Sequence, residues 1–502
     1  MEIIMDYRPL WAVLVSIIVS PLIFLNDKNE NYREAWSILA STVKIGIVFS
    51  MLPAVLSGKV LEVKPFSIAQ GIEFHLRADT FGMIFAVLAS FLWLITTFYS
   101  MGYMRGGKYQ YQTGYFAAFA LSLSATMGIA FAGNLLTFFI FFELLTLATY
   151  PLVIHGRQKK DIAAGRKYLA YTLIAGQVMF VGILWVYSLT STLEFVPGGF
   201  LAGSASWDIL RMIFILLIVG TSVKAAVMPL HEWLPTAMVA PTPVSALLHA
   251  VAVVKAGAFG VIRIVGYVFG PELMVDMGAA DVLAWFAAAT IIFSSFVAMR
   301  QDNLKRRLAF STVGQLSYCV LGAALASPLA IQGGMFHIAA HAFMKITLFF
   351  CAGAIFITTG KEYISDMRGI GRQMPITMGA FTIASFGIVG LPLIVGFISK
   401  WNLALGALQT GKALYIVILV ASAMLSAVYL LPIGFMAFFK ENDEFSGYGE
   451  ARLDMLVPIV VVVFISVVLG VMPNFGVKFF DLASMSSSQI LEDSVKLLGG
   501  WR

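Results

Sequence analysis

The sequence predicts an all-α polytopic membrane protein of about fourteen transmembrane helices, the seventh and twelfth of them broken. Three observations carry this prediction. First, of 502 residues 60% are hydrophobic and only 12% charged, with mean hydropathy +0.89; a soluble globular domain carries about 25% charged residues. Second, charge-free runs cover 80–104, 109–142, 168–193, 308–344, 376–399 and 413–439, and a spanning helix needs about 20 mostly apolar residues. Third, these runs are continuous, whereas the strands of a membrane barrel alternate over segments of about ten residues. Buried helices of a large soluble protein would need polar outer helices, which the sequence lacks.

Taken in order, the first apolar run, 10–25, has no small-residue cleavage site and more spans follow it. It reads as a retained helix, not a removable signal peptide. The next spans are 38–56, 79–99, 114–132, 134–155 and 166–188. The seventh, 209–228, runs into Pro229, Pro235, Pro241 and Pro243. Proline removes a helix donor and clashes with the preceding turn, so this helix is expected to break, with its second half near 236–248. The eighth to eleventh are 242–268, 280–299, 308–326 and 331–357. The twelfth, 375–400, holds Gly387, Gly390, Pro392 and Gly396 before Lys400 and is expected to be interrupted. Spans at 412–438 and 456–475 complete the set.

Basic residues mark one side. Loops after odd-numbered spans hold Arg105 and Lys108; Arg157, Lys159, Lys160, Arg166 and Lys167; Arg300, Lys305, Arg306 and Arg307; and Lys361, Arg368 and Arg372. Positive loops stay cytoplasmic, so both termini are expected on the outer side. The two broken helices lie five positions apart. An odd offset makes any repeat inverted in the membrane, and inverted repeats with discontinuous helices place ion sites near the midplane. Ordinary proline kinks are the alternative.

Ionisable residues inside these spans are the candidate functional groups, because a charge in hydrocarbon is costly and marks a transport path or proton relay. Glu143 is the one acidic or basic side chain between Lys108 and His155. Lys224 is its candidate partner. A carboxylate beside a cation changes proton affinity when the cation moves; a static pair fixing helix packing is the other reading. His337, His341 and Lys345 stand at i, i+4 and i+8, on one helix face. Imidazoles both give and take protons near neutral pH, so the row fits a relay; a structural histidine also fits. Two histidines at this spacing can bind metal, but there is no HExxH and no acidic ligand within that helix. His249 and Lys255 are six residues apart and do not stack on one face. His231 and Glu232 border the first break, and Glu232 lies either at the end of the path or at a boundary. Lys400 lies either at an outlet or snorkels to the interface.

No bond-making chemistry is legible. There is no dinucleotide fingerprint, P-loop, haem or cluster spacing, so no cofactor and no metal is expected. Cys319 and Cys351 read as small packing residues. The net charge of +6 resides in short loops and does not point to nucleic acid.

The segments HEWLPTAMVAPTPVSALLHAVAVVKAG and FHIAAHAFMKITLFFCAG resemble the proton-translocating membrane subunits shared by respiratory complex I and multisubunit (Mrp-type) cation/proton antiporters, most of all the antiporter's D component. The resemblance implies a proton-conducting subunit of a monovalent cation (Na+)/proton antiporter; the alternative is the proton-pumping subunit of a membrane-bound hydrogenase or quinone-linked complex. It implies residues 1–112 as three leading helices, inverted repeats at 113–270 and 271–440, and a last helix and tail at 441–502. It also implies neighbouring integral membrane subunits, surrounding lipid, and a prokaryotic plasma membrane. By motif match, Glu143 pairs with Lys224, Lys255 leads to the centre, and His337, His341 and Lys345 belong to the central segment; His249, near the broken region, is a further candidate. Lys400 takes the terminal ion-path position, which is glutamate in one complex I branch. Met238 stands where the family commonly has histidine. The chain ends soon after its last expected span, without the long lateral helix of the largest complex I subunit of this kind.

Overall fold

The structure, a computed structural model, describes residues 2–27, 29–445 and 447–499. Long helices follow one another as α1 (Arg8–Leu25), α2 (Glu30–Leu56), α3 (Thr80–Gly106), α4 (Gln112–Phe131), α5 (Leu135–Val153) and α6 (Lys159–Thr190). Then come α7 (Trp207–Lys224), α8 (Thr242–Phe269), α9 (Ala279–Met299), α10 (Leu304–Ala324) and α11 (Pro328–Thr359). The last are α12 (Pro375–Val389), α13 (Val395–Gln409), α14 (Leu414–Phe439), α15 (Leu453–Val471) and α16 (Phe479–Gly499). Helix starts follow capping residues in the sequence. Asn29, Asp79, Asn134, Asn303 and Ser327 each accept a hydrogen bond from a backbone N–H of the first turn that follows, satisfying donors that no intrahelical carbonyl reaches.

Among the described residues, eleven helices are long and apolar enough to cross a membrane. α12 and α13 are only 15 residues each. α7 carries Asp208, Arg211 and Lys224. α10 buries Ser311, Thr312, Gln315 and Ser317 against the bundle. The outer helices turn apolar side chains outward. On α14, Val417, Val420, Met424, Val428 and Phe435 are exposed at helical spacing. A contiguous apolar surface of this kind marks a membrane or protein contact. The chain is a multi-pass membrane protein.

α8 and α11 form the centre. Every residue from Thr242 to Phe269 and from Ala330 to Ile355 is buried. α11 packs against α3, α8, α10, α12, α13, α15 and α16, so a polar group on α8 or α11 faces protein on all sides.

Both expected breaks are present. α7 ends at Lys224, and Ala226 adopts a positive φ of 57°. The Trp233 indole donates to the Val223 carbonyl at 2.8 Å, and the Met228 N–H donates to Thr290 Oγ1 at 3.1 Å. Backbone groups freed by the break are thus satisfied by protein, the condition for irregular backbone at membrane depth. The second half is not the expected 236–248 segment. It is one turn, Trp233–Thr236, with a 3-10 turn at Ala237–Val239. Residues from Thr242 belong to α8, because Pro243 sits in that helix's first turn, where its missing N–H costs nothing. α12 ends at Val389 with Gly390 at φ 96°, and α13 starts at Val395.

Two features were not expected. The 57–78 segment forms strands. β1 (Glu2–Met5) pairs parallel with β2 (Lys59–Val63), which pairs antiparallel with β5 (Leu76–Ala78); β3 (Ser67–Ala69) and β4 (Ile72–Glu73) form a separate hairpin. Each strand has at most 5 residues, too few for an alternating pattern to stand out. The expected tail is the helix α16, packed on α3 and α11.

Candidate functional site

The site grows from the two breaks and the two central helices. Lys224 is the last residue of α7 and is fully buried. Its ammonium donates to the Phe142 carbonyl and lies 3.5 Å above the Phe142 ring. The next residue, Glu143, has two buried carboxylate oxygens without a hydrogen-bond partner among the described residues. Its carboxylate lies against Gly176 of α6, where a Cβ would collide with it. The two residues therefore meet the same turn of α5, but Lys224 bonds the backbone rather than the Glu143 carboxylate.

α8 carries His249 and Lys255. The helix widens by one residue at Leu247–Val251, with the Ala252 N–H reaching the Leu247 carbonyl at 2.9 Å. Such bulges recur at functional sites. The widened turn holds His249, whose two ring nitrogens have no partner among the described residues and whose ring packs 4.8 Å from that of Phe349. Lys255 Nζ lies 2.7 Å from His341 Nδ1. This contact joins α8 to α11 at the centre of the chain.

The expected row on α11 divides its contacts. His337 Nδ1 bonds Ser399 Oγ of α13 at 2.8 Å, and its ring lies 5.9 Å from that of His341. The Nε2 atoms of both histidines are buried and, among the described residues, unpartnered. Lys345 donates to Ser311 Oγ at 2.9 Å and to the Leu308 carbonyl at 3.3 Å. Tyr429 also donates to Ser311, at 3.1 Å. Lys400, on α13, donates to the Ile388 and Val389 carbonyls at 2.5 and 3.1 Å, across the break, and sits 5.0 Å from the Tyr318 ring. It is buried, not snorkelling.

The line is thus Glu143 and Lys224 at the α5–α7 wall, Lys255 with His341 at the centre, then His337, Ser399 and Lys400. Lys345 leads to Ser311 and Tyr429, and His249 stands beside α11. Every member can hold or release a proton or present a hydroxyl. The free ring nitrogens are the kind of buried polar atoms that ordered water satisfies.

Glu232 lies outside this line. It is mostly exposed and pairs with Lys167 at 2.6 Å. Met238 is buried and helps line a cleft of about 410 Å³ with Lys160, Lys305, Arg306 and Glu362, on the side of the basic loops.

Sequence reasoning missed several charged groups. Arg263, on α8, is buried in a two-bond pair with Asp79, at 2.6 and 2.8 Å, among the rings of Phe81, Phe195, Phe259 and Tyr267. His75 bridges Glu194 at 2.6 Å and Glu62 at 3.1 Å. Lys44 is buried in α2. Arg263 and Lys44 were visible by the signal that found the other lysines, a charge inside an apolar run. Ser399 and Ser311 carried no such signal.

Residues 132–426 match the family described as NADH:quinone oxidoreductase/Mrp antiporter, TM. This matched segment contains every candidate from Glu143 to Lys400. The chain belongs to this family. Family relatives include the N component of the NADH-quinone oxidoreductase of Desulforudis audaxviator, 35% identical over 80% of this chain and 82% of that one. The D component of the Na(+)/H(+) antiporter of Alkalihalophilus pseudofirmus is 26% identical over 96% of this chain and 97% of that one. Among solved structures, a chain of the membrane-bound sulfane sulfur reductase, an archaeal respiratory membrane complex, shares the family fold. Its TM-score is 0.88 at 23% identity, covering 98% of this chain and 99% of that chain.

Proposed function

We propose that this chain is the proton-conducting membrane subunit of a multisubunit monovalent cation (Na+)/proton antiporter. The observation that carries the reading is the Lys255–His341 contact, which joins a buried lysine of α8 to a buried histidine of α11. A proton shift at one member changes the electrostatic field at the next, so protonation is passed by coupled affinities without any bond change beyond the transfer itself. Glu143 and Lys224 serve as the switching pair, opening as the ammonium moves between the Phe142 carbonyl and the carboxylate. Lys255 connects, His249, His337, His341 and Lys345 form the central relay, and Lys400 stands at the outlet. Near-complete mutual coverage with the D component of an antiporter supports this assignment.

On this reading the chain works in a prokaryotic plasma membrane with both termini outside, beside other integral membrane subunits. Residues 113–270 and 271–440 are its inverted repeats, each holding one helix break. A second reading, the proton-pumping subunit of a redox complex, is favoured by the 35% identity to a component of a quinone oxidoreductase. Neighbouring genes for small antiporter subunits or for iron–sulfur subunits separate the two. The relay is tested by Glu143→Ala in the assembled complex: ion-coupled proton transport is expected to fail. Undiminished transport with normal assembly sinks the role given to Glu143.

A further inference from the structure

Lys44 lies on α2, outside the line described above. On that helix Glu34, Ser37, Ser41 and Lys44 recur at intervals of three, four and three, and so share one face. All four are buried, whereas Ala35, Thr42 and Val43 are exposed. α3 packs alongside. At one end Arg105 of α3 binds Glu34 by two hydrogen bonds, 3.0 and 2.5 Å long. At the other end Lys44 Nζ lies 4.8 Å from the Trp93 ring centroid. Ten residues of helix rise about 15 Å, half of a hydrocarbon core about 30 Å thick. Between these ends α3 contributes Thr97 and Ser100, both buried. A polar seam therefore runs from the Arg105 surface to mid-membrane.

Protein satisfies the seam only in part: Ser41 donates to the Ile38 carbonyl, Thr97 donates to the Trp93 carbonyl, and Ser100 bonds the Tyr115 hydroxyl. Among the described residues, Lys44 Nζ, Ser37 Oγ and Arg33 Nε are buried without hydrogen-bond partners, and no carboxylate pairs with Lys44. α1 carries no charge beyond Arg8, α3 none between its Asp79 cap and Arg105, and α4 none at all. The charges of the seam are Arg33, Glu34 and Arg105, at its far end. An ammonium has three donors, and the Trp93 face occupies one side of it. Buried polar groups left in this state are where ordered water sits.

We propose that the α2–α3 seam is a water-filled half-channel from the Arg105 surface, and that it ends at Lys44 as a second protonation site. The protonation role rests on the proton-conducting reading above; the hydration does not.

Ser37→Cys and Ser41→Cys in the intact complex, in sealed vesicles, test the channel with a small membrane-impermeant methanethiosulfonate added to one side at a time. Labelling is expected from the Arg105 side alone, above the background of Cys319 and Cys351. Labelling of neither position from either side overturns the channel. Lys44→Met is expected to lower ion-coupled proton transport severalfold. Labelling of the seam with wild-type transport in Lys44→Met, at every pH measured, overturns the protonation role. If Lys44→Met does not assemble, Lys44→Arg decides, because arginine keeps the charge but does not release a proton: lost transport supports the role and wild-type transport overturns it. Labelling requires no transport, so a silent Glu143→Ala variant with normal labelling defeats the relay and leaves the channel standing.

Discussion

Breaking the Lys255–His341 contact tests whether the two halves of the line act as one unit. The contact is 2.7 Å long and both residues are fully buried. A hydrogen bond to a charged group contributes about 1.5–3 kcal/mol, and each step of about 1.4 kcal/mol is tenfold in rate. Loss of the contact alone should therefore slow proton transport by about tenfold to a hundredfold. The assay is a double-mutant cycle of Lys255→Met and His341→Leu, read as ion-coupled proton uptake in vesicles and normalised to assembled complex. If the two residues pass one proton between them, the double variant is no slower than the worse single variant. Losses that simply multiply would refute the contact as a transfer step and leave two unrelated side chains.

Three further outcomes follow from particular contacts. Gly176→Ala is expected to leave thermal stability nearly unchanged and to reduce transport, because the atoms nearest the new methyl are the movable end of Glu143; unchanged transport would show that the carboxylate position does not matter. Asp79→Asn keeps a helix-capping oxygen but strands the Arg263 charge among aromatic rings, a loss of about 3–5 kcal/mol. Combining it with Arg263→Met should recover most of that in a thermal unfolding measurement, and failure to recover would mean the pair is not the source. Outside the spans, burial pushes the Glu194 carboxyl up, but the His75 hydrogen bond with the charges of His75, Lys64 and Arg77 outweighs it and lowers the net value. A lowered carboxylate stabilises the fold above its ordinary range and loses that contribution as pH falls through the folded value. Glu194→Gln should therefore flatten the drop in melting temperature below about pH 4.5, and an unchanged acid limb would argue against the linkage.

The membrane class, the helix order and both breaks were legible in the sequence, because hydropathy and proline or glycine punctuation are local signals. So were the eight candidate site residues, since a charge in an apolar run is conspicuous by itself. Their partners were not. Lys224 faces the Phe142 carbonyl and Lys345 faces Ser311, and a carbonyl or a serine leaves no trace in composition. The joining of Lys255 to His341 is a tertiary fact spanning 86 residues. The start of α8 at 242 was read correctly, but 236–248 was also given to the second half of the seventh helix, because a proline that interrupts a helix interior also suits a first turn, as Pro243 does in α8. The short strands near residues 57–78 had too few residues to alternate.

Lys400 gives the second break a further property. As an ammonium it has three N–H groups, and they meet three neighbours: the Ile388 carbonyl, the Val389 carbonyl and the face of Tyr318. A neutral amine has only two. Discharging Lys400 therefore forces it to abandon one of them, and two of the three are the unsatisfied end of α12. Charged, Lys400 holds the end of α12, its own helix α13 and Tyr318 of α10 together across the break; neutral, it has donors for only two of these three contacts.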